Sequence, residues 1–269
     1  MREMPKVNRV QVVPGQPWED AIISLLEPRS PYRPLQPAGG SAPIEPGDAV
    51  VVTLDTDPVS VLAAVGIVGP DGDVHNAMAA IEPFYIDTLL ELDPLNASAD
   101  FHIPPSGGTI QGNSADDIVT ALGEFRWSPL EARFGHNSLV AARILLGARG
   151  WGDHACLCTG CGLPIDLTGA DAREHVHIHT VRKEELDDDW PAVLCDSCRD
   201  RMESGGFTSF LDFRFSLHPP CPSCSAQRTM SAMFGMPAGP VDEPWIATMG
   251  CVVREPRSHW VCMRCRHEW

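Results

Sequence analysis

Four Cys-x-x-Cys pairs limit what this chain can fold into more than any other feature. They are Cys158/Cys161, Cys195/Cys198, Cys221/Cys224 and Cys262/Cys265. A pair at this spacing offers two thiolates from one tight turn, and two such turns close a tetrahedron around zinc. The order along the chain pairs the first two turns across one segment and the last two across another. Each segment is then a small zinc module, and the last has a core too small to fold without the metal. The expectation is two structural zinc ions, one on Cys158, Cys161, Cys195 and Cys198 and the other on Cys221, Cys224, Cys262 and Cys265. Cys156 and Cys251 are left over. Cys156 reads as a free thiol.

All ten cysteines lie between 156 and 265, and the first 150 of 269 residues contain none. This shift divides the chain into 1–150, 151–215 and 216–269, with the last boundary at "FSLHPPCP". Cysteine-rich metal modules fit a reducing compartment. The beginning "MREMPKVNRV" has no apolar core of a signal peptide, and no apolar run reaches membrane-spanning length. A cytoplasmic protein with no membrane partner is expected.

Charge weighs against extensive nucleic-acid contact. The formal net charge is −16. Residues 1–150 carry 9 Lys and Arg against 19 Asp and Glu, and 151–215 carry 6 against 13. Only 216–269 is not acidic, with 5 against 4, including Arg254, Arg257, Arg264 and Arg266. Polyanions favour clustered positive charge. Arginine supplies 18 of the 20 basic residues, and its planar fork suits phosphate.

In the first 150 residues "VNRVQVV" reads as a strand and "WEDAIISLLE", after Pro17, as a short amphipathic helix. "AVVVTL" and "SVLAAVGIV" are apolar runs on either side of an Asp-Thr-Asp-Pro turn and suggest a strand pair. Residues 27–48, rich in Pro and Gly, and "FHIPPSGG" read as loops. "NSLVAARILLGARG" reads as a helix capped by Asn137 or Ser138. The polar "RFGHNS" just before it offers Arg133 and His136 beside a helix start. A small mixed, barrel-like α/β domain follows from this order. "PGDAVVVTL" followed by "VLAAVGIVG" resembles the PUA/EVE-like domains, which implies a reader of modified bases.

The middle segment contains "REHVHIHT", with histidines at alternate positions. As a strand it would place His175, His177 and His179 on one face. The run "EELDDDW" reads as a solvated turn, and "GGFTSFLDFRFSLHPP" as a connecting strand packed on the core. "GCVVREPRSHWVCMRCRHEW" reads as strand, turn and strand, with Trp245, Trp260 and Trp269 covering a small core. This last segment resembles a zinc ribbon, which implies a nucleic-acid- or protein-binding module.

The stretch from Cys158 to Met202, with "AVLCDSCRDRM" at its end, resembles the zinc-bearing HNH (ββα-metal) endonucleases. The resemblance implies a treble-clef/ββα-metal zinc module, and the three segments together read as an α+β chain. It also implies a DNA endonuclease using a catalytic Mg²⁺ or Mn²⁺ ion. Glu174 falls at the family's metal-binding carboxylate and His175 at its general base. Two positions depart from the pattern. Trp190 stands where the family has a middle asparagine, and Arg199, which cannot bind a metal, where it has a last His or Asn. His177, with Asp189 or Asp200, is the available compensation. Alternatively His175, His177 and His179 hold a metal of their own. A base reader joined to an HNH module is the plan of modification-dependent restriction enzymes, which suggests bacterial defence. The other reading is a non-catalytic zinc-binding scaffold or regulator with a degenerate HNH fold and a protein partner on its ribbon.

Overall fold

The computed structural model describes residues 7–27, 43–63, 65–68, 89–124, 130–150, 156–185, 187–235, 237, 241–251 and 258–269. The chain divides into two compact units. The first is Met1–Glu184 with Pro191–Arg199, and the second is Glu185–Trp190 with Asp200–Trp269.

The first unit is built on a mixed six-stranded sheet. Its strands are β1 (Arg9–Gly15), β2 (Ala49–Leu54), β3 (Ser60–Leu62), β4 (Gly66–Ile67), β5 (Leu89–Glu91) and β6 (Gly108–Gln111). They run in the order β5-β3-β2-β1-β6, with β4 also on β2. β1 and β2 are parallel, with Val12 opposite Val51, and the remaining pairs are antiparallel. The expected strand pair is therefore present. Its second run, however, breaks into two short strands that both face β2. Among the described residues the sheet is open, so the barrel-like expectation reduces to a mixed α/β layer.

All six residues of β2 are buried, which requires cover on both faces. On one face α3 (Asn113–Glu124) packs Ala115, Ile118, Val119 and Leu122 against Val10, Val12, Ala49 and Val51. Two further helices, α1 (Trp18–Leu26) and α4 (Ser138–Gly147), pack on one another, and α1 also packs on β1. Gly15 leaves room for that approach. A Cβ there would lie 2.6 Å from the Ala21 Cβ and 2.7 Å from the Leu54 Cδ2. The α4 cap is as expected, with the Asn137 side chain accepting the Val140 N–H at 2.9 Å. The short helix α2 (Leu92–Ser98) follows β5 directly.

The same unit holds a hairpin of β7 (His177–His179) and β8 (Ala192–Leu194), in which His177 pairs with Leu194 and His179 with Ala192. Helix α5 (Asp196–Ser204) follows at once, which gives the order ββα. The hairpin packs on α4. The Gly135 N–H donates to the Val181 carbonyl at 2.7 Å, and His136 Nδ1 meets Thr180 Oγ1 at 2.7 Å. The Arg173 Nε–H donates to Asp20 at 2.9 Å. "REHVHIHT" is thus not one strand. Ala172–His175 is a 3₁₀ turn, closed by the Glu174 N–H donating to the Asp171 carbonyl at 2.8 Å. Only His177 and His179 share a strand face.

In the second unit β9 (Thr229–Met233) lies between β10 (Ile246–Thr248), parallel to it, and β11 (Trp260–Cys262), antiparallel. The strand expected at the start of the 250–269 stretch falls mostly outside the described residues. The phenylalanine-rich segment is a helix, α6 (Phe210–Ser216), and not the connecting strand its alternation suggested. Phe210 and Phe213 lie three apart on its buried face. Trp190 and Phe210 stack edge-on to Trp245, with centroids 6.1 and 5.6 Å away.

Candidate metal centres and histidine site

Each expected cysteine quartet converges. The four Sγ atoms of Cys158, Cys161, Cys195 and Cys198 lie within 4.8 Å of one another, and so do those of Cys221, Cys224, Cys262 and Cys265. Four ligands at a Zn–S distance of about 2.3 Å place the sulfurs about 3.8 Å apart. The measured separations are 4.0 Å for Cys161–Cys195 and 3.6 Å for both Cys221–Cys265 and Cys224–Cys262. Both quartets therefore fit a tetrahedral zinc ion.

The backbone at these pairs supports the same fit. The residue after the second cysteine is left-handed in three of the four turns: Gly162 at φ 73°, Ser225 at φ 57° and Arg266 at φ 59°. For Ser and Arg this backbone is uncommon. In each turn that residue's N–H donates to the carbonyl of the first cysteine, at 2.8, 2.8 and 3.0 Å. The fourth turn, Cys195 to Cys198, instead opens helix α5. Gly160 lies so close to the first quartet that a Cβ there would sit 2.9 Å from Cys198 Sγ. Amide donors face the sulfurs as well. The Cys195 N–H points at Cys158 Sγ (3.4 Å), and the Cys265 N–H at Cys262 Sγ (3.5 Å). The latter contact, foremost, draws the Cys262 thiol down to about 6.

Cys156 and Cys251 belong to neither quartet. Cys156 is fully buried, and burial, with Cys158 nearby, pushes its thiol up to about 12. It is a protonated apolar side chain next to the first metal site.

A second constellation sits where β7 meets the first turn of α5. Asp196, inside the Cys195-Asp-Ser-Cys198 turn, accepts from two rings. His175 Nδ1 lies 2.7 Å from Asp196 Oδ2, and His177 Nε2 lies 2.6 Å from Asp196 Oδ1. His175 Nε2 lies 3.2 Å from Asp171 Oδ2. A carboxylate only accepts, so the Nδ1–H donates to Asp196, and the Asp171 carboxylate lies beside Nε2. The Asp196 and Asp171 hydrogen bonds hold its pKa above the ordinary histidine range. The hydrogen bonds from His177, foremost, and from His175 lower the pKa of Asp196. On the far side of His177, the Arg199 Nη1 lies 3.3 Å from Nδ1.

Beside His175 lies an open pocket of about 420 Å³, lined among others by Pro164, Ile165, Asp166, Asp171 and Asp196. Glu174 is not among its lining residues and is exposed. The carboxylates that meet the histidines are Asp196 and Asp171. The sequence pattern gave no weight to either, because each comes to the histidines through a turn rather than through strand spacing. His175, His177 and His179 do not converge. Among the described residues, the only groups of three or more metal-binding side chains within 4.8 Å of one another are the two cysteine quartets.

No helix among the described residues is long and apolar enough to cross a membrane. Comparison with known protein families, with curated proteins and with solved structures gives no match for the chain.

Proposed function

We propose that the ββα segment around His175 is the active site of a phosphodiesterase that cuts nucleic acid with the help of a divalent metal. One observation carries the reading. His175 stands between two carboxylates, at the rim of an open pocket, in the turn that leads into a hairpin whose second strand runs into a helix. Metal-assisted hydrolysis of a phosphodiester needs a proton-handling group and oxygen donors at one exposed place. His175 is that group. The carboxylates on either side of its ring favour its protonated form, which suits protonation of a leaving oxygen as well as the general-base role implied by the resemblance. Asp166 and Asp171 line the same pocket and could each offer an oxygen to a Mg²⁺ or Mn²⁺ ion that came with the substrate, which would supply Lewis acidity at the phosphate. The two zinc quartets are structural, and the first holds Asp196 in place between two of its ligands. The N-terminal sheet is the candidate reader of the base or modification that selects the substrate. The test is cleavage of plain and modified DNA with each metal, by the wild type and His175→Ala.

A net charge of −16 favours a second reading, a non-catalytic zinc scaffold with a protein partner on its ribbon. It is separated by the same assay. A scaffold hydrolyses nothing with any divalent ion, yet still loses its fold when zinc is removed.

A further inference from the structure

We infer that Arg199 is a positioning residue that fixes the proton of His177 on Nε2 and so aims Asp196 at His175. The inference follows from counting donors and acceptors. A guanidinium has five N–H donors and no acceptor. Arg199 Nη1, 3.3 Å from His177 Nδ1, can only donate, so Nδ1 presents its lone pair. The ring proton that the contacts call for is then on Nε2, which donates to Asp196 Oδ1 at 2.6 Å. With Oδ1 taken, Oδ2 is the oxygen that faces His175 at 2.7 Å. Arg199, His177, Asp196 and His175 form one chain of hydrogen bonds, with the donor-only arginine at one end and the acceptor-only carboxylate agreeing with its direction at His177.

The chain gives the two histidines different tasks. His175 is the exposed one, at 45% of its side chain, and opens on the pocket. His177 is 20% exposed, and both its ring nitrogens are engaged by protein groups. It therefore orients and does not bind a metal. Arg199, which cannot bind a metal itself, has a role here that a histidine or asparagine at the same place would not fill in the same way. Neither of those is confined to donating.

The tautomer does not depend on the phosphodiesterase reading, which enters only if activity is measured beside it. The experiment is long-range ¹H–¹⁵N NMR on the zinc-loaded full chain labelled at histidine, at about pH 8, above the ordinary histidine range. His177 is assigned by its loss in His177→Gln. In the wild type its Nδ1 is expected without a proton and its Nε2 with one. In Arg199→Ala, at an exposed helical position, the Nδ1 resonance moves toward that of an unbonded ring nitrogen. Arg199→Lys, still a donor, restores it. Arg199→Glu, an acceptor, draws a proton onto Nδ1. A proton on Nδ1 in the wild type overturns the inference. So does an Nδ1 resonance unchanged in an Arg199→Ala protein that keeps its zinc. The expected tautomer in a protein that cuts no DNA would leave the inference standing and remove the phosphodiesterase reading.

Discussion

The Asp189 carboxylate accepts the Phe210 N–H at 2.7 Å, with the Leu211 N–H behind it at 3.4 Å. An acid from the run "EELDDDW" thus satisfies the open amides at the start of α6, while Ser209 Oγ accepts the Asp212 N–H at 3.2 Å. Loss of such a cap costs about 1–2 kcal/mol. Asp189→Ala is expected to lower the unfolding free energy by about that amount in urea titrations. Asp188→Asn, at an exposed neighbour, should stay within about 0.5 kcal/mol of the wild type.

Zinc content should be two per chain by elemental analysis. Cys161→Ser and Cys224→Ser should each lose one ion, from different quartets. The triple change of His175, His177 and His179 to alanine should keep both. A third zinc that disappears with the histidines would contradict the separation of the two kinds of site.

Gly160 is expected to tolerate no side chain. In Gly160→Ala the new Cβ meets Cys198 Sγ at 2.9 Å, so ligand or backbone must shift. Competition with a chelator should strip one zinc from this variant well before the wild type. Gly162→Ala strains a left-handed backbone at φ 73° without a steric contact, and its effect should be smaller.

His218 gives the second unit a pH dependence. It is buried, and its Nδ1–H donates to the Thr229 carbonyl at 2.5 Å. Burial, foremost, and the nearby Arg214 hold its pKa below the ordinary 6.5, despite the Thr229 bond. The unfolded chain therefore binds the proton more readily. Stability is full above the unfolded pKa and falls as the pH drops from about 6.5 toward the folded value. Urea midpoints from about pH 7.5 to about 5.5 should decline in the wild type and decline less in His218→Phe.

Much of the metal architecture was legible because Cys-x-x-Cys spacing is local chemistry. The turn that makes a pair is the turn that makes a ligand set. The β1–β2 core and the α1 and α4 helices were legible for a similar reason, since Val12, Val51 and Leu145 repeat at strand or helix period. Phe207, Phe210, Phe213 and Phe215 misled because their spacings of two and three fit either period, and the Asp189 cap that selects the helix lies some twenty residues earlier. The histidines misled in the opposite way. Their strict alternation suggested a strand, but the Gly-Ala-Asp stretch before them closes a 3₁₀ turn that takes His175 off the strand. The partners of that histidine, Asp171 and Asp196, come from this turn and from inside a zinc knuckle.

The most direct test is cleavage of DNA by zinc-loaded protein, with Mg²⁺ or Mn²⁺ added, for the wild type and His175→Ala. Plain and base-modified duplexes are both supplied, at low salt, because the −16 charge opposes binding. The expected result is metal-dependent cutting by the wild type that falls by about 100-fold or more in the variant. The contradicting result is equal cutting by the two proteins, or no cutting of any duplex by a wild type that holds both its zinc ions.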